Sequence, residues 1–177
     1  MNIHPIVVHF PIAFLTAYSI LEILAFKGLR QKIYWFYIKA TLVILGAVGA
    51  LAALLTGEMV EDLAEGDRSM RQVLHLHEAF AKTSLAIFAL MAAAYAVIWL
   101  HRELVEPRLS SLQSSGFVAV WLVPVKVARF LTESPVAVIV ALVGLACITV
   151  TGGLGGVMVH GPGADPFFRP VYNFLVR

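Results

Sequence analysis

The chain has 177 residues, of which 60% are hydrophobic and 14% charged, whereas a soluble domain has about 45–50% apolar and about 25% charged residues. This excess of apolar residues indicates an integral membrane protein and excludes a disordered chain or a disulfide-stapled scaffold, since Cys147 is the single cysteine. The net charge of +2, from basic residues spread along the chain, excludes a nucleic-acid binder.

Four apolar stretches are long enough to cross a bilayer, which requires about 20 mainly apolar residues. In lipid every backbone N–H and C=O must be satisfied within the segment, so these stretches are expected to be helices. The sequence therefore predicts one all-α domain over residues 1–177, an integral membrane four-helix bundle in the lipid bilayer. Its predicted spans cover residues 5–26, 33–56, 73–101 and 135–159.

The first span, 5–26, is expected to remain in the protein, because it is too long for the apolar region of a signal peptide. It opens with His4 and His9, and in a helix His9 lies about 7–8 Å deeper in the membrane than His4. An ionisable side chain at that depth indicates a functional site. Near the other end of the span, Glu22 is expected to pair with Lys39 of the second span.

The second span, 33–56, carries small residues that let helices pack closely in lipid: Gly46, Gly49, Ala50 and Ala53. The connection after it is acidic, whereas the connections after the first and third spans are basic. The positive-inside rule places the two basic connections in the cytoplasm. The acidic connection and both termini are therefore expected on the opposite side.

The third span, 73–101, has a polar stripe in which His75, Glu78 and Lys82 recur at i, i+3 and i+7. Glu78 is expected to pair with Lys82, four residues along the helix. His101, at the far end of this span, is interpreted as a solvated residue.

His77 lies on a different face of the third span, together with the small residues Ala81 and Ser84. Small neighbours would allow a flat macrocycle to approach the imidazole. His77 and His9 lie at matching depths in their helices, and histidine is a common axial haem ligand and the commonest metal ligand. We therefore expect His9 and His77 to bind one cofactor between them, with Lys82 available to a haem propionate.

An insert over residues 103–134 separates the third and fourth spans. Its apolar part, 117–131, is short and contains Pro124, and we interpret it as an interfacial or re-entrant piece rather than a fifth span. Trp121 and Phe130 within it are candidate docking residues.

The fourth span, 135–159, ends in a glycine-rich run in which Gly152 and Gly156 are expected to serve close helix packing. Beyond it, an aromatic tail is expected to bind a partner or to lie among the lipid headgroups. Its members are Phe167, Phe168, Tyr172 and Phe174.

Three functions fit these residues. The leading one is a b-type haem protein of an electron-transfer chain, with His9 and His77 as axial ligands. The second is a non-catalytic subunit whose helices and aromatic tail bind a larger complex. Neither requires catalysis by the chain itself.

The third function is a transition-metal site for Cu or Zn at the same end of the helices. Its ligands would be His9 and His77, with His4, His75 and His160 as weaker candidates and Glu58 or Asp62 supplying oxygen. Because His75 and His77 point about 200° apart in a helix, both cannot face one ion if both are helical.

The opening segment, residues 4–13 (HPIVVHFPIA), resembles the signature of a bacterial family of predicted membrane proteins, domain of unknown function 2231. Further similar pieces are Thr56-Gly57, a histidine opening the third span, and the glycine run at 152–157. The insert has no counterpart in the resemblance. After the glycine run, this chain reads Val159-His160-Gly161, where similar proteins have a tyrosine and then His-Gly.

The resemblance implies a small four-helix bacterial membrane protein with no settled activity. Together with the charge pattern, this predicts the bacterial inner membrane with both termini in the periplasm. Related domains occur joined to or near cytochrome-type proteins, which favours haem b as the cofactor of the histidine pair. The expected partner is then a periplasmic cytochrome or a larger respiratory or photosynthetic complex.

Overall fold

A computed structural model describes residues 4–24, 27–30, 32–61, 68–108, 116–163 and 165–176. Its described residues are mostly helical, with no strand among them, which confirms the predicted all-α class. The helices are α1 (His4–Val7), α2 (His9–Ile23), α3 (Lys27–Arg30), α4 (Ile33–Glu61), α5 (Arg68–Leu100), α6 (Gly116–Glu133), α7 (Val136–His160) and α8 (Arg169–Leu175). A π-helical turn, His101–Val105, and a 3-10 turn, Glu106–Arg108, extend α5.

Three of the predicted spans correspond to helices that are long and apolar enough to cross a membrane. These segments are Ile33–Gly57, Met70–Arg108 and Val136–His160. The first predicted span contains a shorter apolar helix, α2, of 15 residues. The short helix α1 precedes it, and backbone hydrogen bonds bridge the junction, from the Val8 N–H to the His4 carbonyl at 3.1 Å and from the Ile12 N–H to the Val8 carbonyl at 3.3 Å.

The long helices pack around a common apolar core. Helix α2 contacts α4 and α7, and α5 contacts the same two helices. Bulky side chains from α2 and α5 fill the centre, where Tyr18 meets Phe88 and Tyr95 edge to face. Neighbouring helices run in opposite directions, which brings the start of α1, the end of α4 and the end of α7 to one end of the structure.

Glycines permit this close packing on α4, as predicted. A Cβ added at Gly46 would lie 2.4 Å from the Leu15 side chain, and one at Gly49 would lie 3.2 Å from Pro11. The expected packing role of Gly152 and Gly156 is wrong, because an added Cβ at either position meets no described atom within 4 Å.

The insert contains α6, which packs along the last turns of α5. Val125, Ala128 and Thr132 are buried on it, and Ala128 clusters with Ala94 and Ile98. Trp121 lines an apolar cavity of about 210 Å³ together with residues at the end of α5. Helix α6 is not among the described helices with the length and composition of a span, and its interfacial or re-entrant placement stays a prediction.

Candidate functional site

His77 is a half-buried residue of α5 whose ring contacts α7. Its Nδ1 lies 2.9 Å from the carbonyl oxygen of Thr151. A carbonyl can only accept a hydrogen bond, so Nδ1 carries the hydrogen and the lone pair of the neutral ring is on Nε2. One turn along α7, Gly155 packs beside the ring, and an added Cβ there would make an ordinary contact, 3.4 Å from the His77 Cε1 atom.

His4 is held against α4 by a threonine hydroxyl. Its Nδ1 lies 3.0 Å from the Thr56 hydroxyl oxygen. That oxygen also lies 3.0 Å from the carbonyl oxygens of Ala52 and Ala53. When the hydroxyl donates its one hydrogen to a carbonyl, it accepts a hydrogen bond from Nδ1, and the lone pair of the neutral ring is then on Nε2.

A glycine provides the space beside the His4 ring. A Cβ added at Gly57 would lie 3.1 Å from the His4 Cε1 atom, closer than ordinary side-chain contacts. The positively charged forms of His4 and His77 would repel each other. The structure thus places two imidazoles at one end of the helices, each held through Nδ1 by a threonine oxygen. We call this end the His77 end.

Imidazoles that bind a metal commonly donate their second ring N–H to an oxygen, which fixes the ring and directs the other nitrogen to the metal. His77 meets this description, and His4 meets it in the tautomer whose Nδ1 carries the hydrogen. Two nitrogen ligands from different helices match the two axial positions of a haem iron. In addition, the buried Ser84 hydroxyl, two turns from His77 on the same face of α5, has no hydrogen-bond partner among the described residues.

A family model for predicted membrane proteins, DUF2231, matches residues 1–164. The chain belongs to the DUF2231 family. The match confirms the resemblance and includes the insert. No curated protein and no solved structure matches the chain significantly.

The other predicted site residues of this DUF2231 chain lie on its outside. His9, His75 and His160 are exposed, and the joint role of His9 and His77 stays a prediction. Lys82 is bonded to Glu78, which confirms the predicted pair.

The described residues give less support to a metal site in which protein side chains supply all the ligands. Helix α5 begins at Arg68, so both His75 and His77 are helical and face different ways, as the spacing requires. Within the ranges that the structure describes, no group of three or more His, Cys, Asp or Glu side chains is placed to hold an ion. Asp62 and the side chain of Glu58 lie outside the described residues.

Sequence reasoning missed the residues that fix the histidine rings. Threonine is an ordinary residue in a membrane span, so the sequence alone does not single out Thr56 and Thr151. Only the helix packing shows that they face the imidazoles. The sequence did contain a signal, because Thr56-Gly57 and the glycine run on α7 were among the pieces similar to the family.

A second polar cluster lies at the opposite end, which we call the Arg102 end. The Lys39 Nζ is 2.8 Å from the Glu22 Oε2, which confirms the predicted pair. The Tyr95 hydroxyl donates to the same oxygen at 2.9 Å. The expectation of a solvated His101 is wrong, because the side chain packs at this end with only 5% exposed.

Proposed function

We propose that the protein is a membrane-embedded b-type haem protein of an electron-transfer chain, with His4 and His77 as the axial ligands. The observation that carries the proposal is that each ring is held through Nδ1 by a threonine oxygen of a neighbouring helix, which directs Nε2 away from that oxygen. His4 is favoured over His9 because its ring is half-buried against α4 at the same end as His77, whereas the His9 side chain is exposed on α2.

The chain's own residues would orient the two ligand rings and keep bulky side chains away from the His4 ring. Thr56 and Thr151 would hold the two rings through Nδ1, and Gly57 leaves the His4 ring room against α4. When bound, haem supplies a one-electron couple whose potential depends on its ligands, its burial and nearby charge.

The membrane arrangement belongs to the same proposal. Helices α1 and α2 together cover 20 residues from His4 to Ile23, about 30 Å of helix, the thickness of the hydrocarbon core. With these as the fourth span, the protein is a four-helix bundle of the bacterial inner membrane. The positive-inside rule then puts the His77 end at the periplasmic side, where a periplasmic cytochrome or a larger membrane complex exchanges electrons.

The test is the reduced-minus-oxidised absorption spectrum of protein purified after expression with added haem precursor. The proposal expects a Soret band and a low-spin α-band, both lost in His77→Ala and in His4→Ala. The matched controls are His75→Ala and His160→Ala, which remove exposed imidazoles at the same end. Haem loss in His9→Ala, but not in His4→Ala, would show that His9, and not His4, is the second axial ligand beside His77. Absence of haem from the wild-type protein would overturn the proposal.

Elemental analysis of the same samples distinguishes haem from the transition-metal alternative. Copper or zinc near one per chain, without a Soret band, would replace haem as the cofactor. Metal retained in the His4→Ala, His77→Ala double variant would show that these rings are not the ligands.

A second candidate function, a partner-binding subunit, is favoured by the aromatic tail. Phe168 is buried against α7, where an added Cβ at Gly153 would touch its ring at 2.3 Å. Phe168 anchors the tail in this way, while the side chains of Phe167 and Phe174 are 94% and 84% exposed. Stoichiometric co-purification of a membrane complex, lost in a Phe167→Ser, Phe174→Ser variant and accompanied by no haem, would favour this function.

A further inference from the structure

A cavity of about 170 Å³ lies at the Arg102 end, remote from the histidine pair. The first turns of α4 contribute Trp35, Phe36 and Lys39 to its lining, and Tyr95 and Arg102 come from α5 and its extension. Thr132 and Glu133, at the end of α6, also line it. If α4 and α5 span a bilayer, this position is at the level of the lipid headgroups.

Two hydrogen-bond donors of this cavity are buried without a partner. The Trp35 Nε1 and the Arg102 Nη1 have no hydrogen-bond acceptor among the described residues. Buried N–H groups in native proteins are almost always satisfied, so orphaned donors beside a cavity indicate a missing acceptor.

Arg102 is held in a fixed position beside the cavity. Its guanidinium lies 4.1 Å from the centre of the Phe36 ring, an arrangement in which the cation is attracted to the ring face. The planar guanidinium is the side chain best suited to the oxygens of a phosphate. Trp35 approaches the cavity from α4, so donors from two different helices meet there.

Two described cations line the cavity, Lys39 and Arg102. Lys39 forms its ion pair with Glu22, which neutralises it. The Glu133 side chain is exposed, where water screens its charge. Among the described lining residues, Arg102 is therefore the cation that remains to bind a ligand.

We infer that the Arg102 cavity binds a phosphate group, with the Arg102 and Trp35 N–H groups as donors to its oxygens. The phosphate belongs either to the headgroup of an acidic phospholipid or to free inorganic phosphate, which present the same oxygens. Basic pockets between membrane helices commonly bind lipid headgroups in this way. The inference does not depend on haem, because the cavity and the histidine pair lie at opposite ends.

The test uses the full chain, purified in a maltoside detergent that contains no phosphate and stripped of lipid. Phosphatidylglycerol or inorganic phosphate is titrated in, with chloride at equal ionic strength as the reference, and the thermal unfolding midpoint is measured. We expect a saturable rise in the midpoint. A rise with phosphatidylglycerol only identifies a lipid headgroup, and a rise with inorganic phosphate identifies a free-phosphate site.

Three variants locate the binding. Arg102→Gln should weaken the apparent affinity at least about tenfold, as loss of a charged hydrogen bond to phosphate does. Trp35→Phe keeps the aromatic ring and removes only the N–H, and it should weaken the affinity several-fold with the fold intact. Arg129→Gln, the same charge change at an exposed position of α6, should bind like the wild-type protein. A wild-type midpoint that neither probe raises, or equal losses in Trp35→Phe and Arg129→Gln, would overturn the inference.

Discussion

Removing Lys39 should destabilise the protein more than removing any exposed charge, because it isolates a buried carboxylate. The Glu22 side chain is 1% exposed and that of Lys39 is 8% exposed. In Lys39→Met the Glu22 carboxylate keeps one described hydrogen bond, from the Tyr95 hydroxyl at 2.9 Å, while its Oε1 already has no partner among the described residues.

Breaking a buried ion pair by removing one partner costs about 3–5 kcal/mol, whereas replacing both partners with uncharged side chains is close to neutral. We therefore expect Lys39→Met to lower the free energy of unfolding by about 3–5 kcal/mol. The double variant Glu22→Gln, Lys39→Met should recover most of that loss, because no charge then remains buried.

The assay is reversible unfolding in mixed micelles with increasing denaturing detergent, followed by circular dichroism. The control is the other ion pair, Glu78 with Lys82, whose side chains are 27% and 54% exposed. Lys82→Met should change the free energy of unfolding by about 1 kcal/mol or less, as exposed pairs do. A Lys39→Met protein as stable as Lys82→Met, or a double variant no more stable than Lys39→Met, would refute the reasoning.

Three further predictions concern the His77 end. Gly153→Ala should lower the free energy of unfolding by about 1–3 kcal/mol, because its Cβ would meet the buried Phe168 ring at 2.3 Å; thermal unfolding measures this. Thr56→Val should weaken haem binding about 10–100-fold in a haem titration, since it removes the oxygen that orients a ligand ring. Asp67→Cys should react with a membrane-impermeant thiol reagent added to intact cells, as a periplasmic residue would.

Each of these three predictions has a matched control variant. Gly156→Ala should be neutral or slightly stabilising, since an added Cβ there meets nothing and alanine favours the helix. Thr56→Ser keeps the hydroxyl and should retain haem. Ser114→Cys lies in the insert predicted to be cytoplasmic and should react only in broken cells. The opposite labelling pattern would reverse the orientation.

The sequence predicted those features that depend on length, composition and charge. Ile33–Gly57 and Val136–His160 lie within a few residues of their predicted bounds, because the bilayer thickness sets the length of an apolar helix. The pairing of Glu22 with Lys39 was predictable because a lone charge in lipid is too costly to keep.

The rotation of each helix was not predictable in the same way. Depth in the membrane made His9 the predicted partner of His77, and that pairing stays a prediction. Depth does not determine which face of a helix is covered by its neighbours. In addition, a turn at Val8 separates α1 from α2. His101 was misjudged for a related reason, since its burial depends on long-range packing at the Arg102 end.

The central claim, that His4 and His77 bind one haem iron, is tested most directly by low-temperature electron paramagnetic resonance of the oxidised protein. The account predicts a low-spin ferric signal of the bis-imidazole type, converted to high spin or lost in His77→Ala and in His4→Ala, and unchanged in His75→Ala. A protein that takes up no haem, or a bis-imidazole signal that survives in the His4→Ala, His77→Ala double variant, would contradict it.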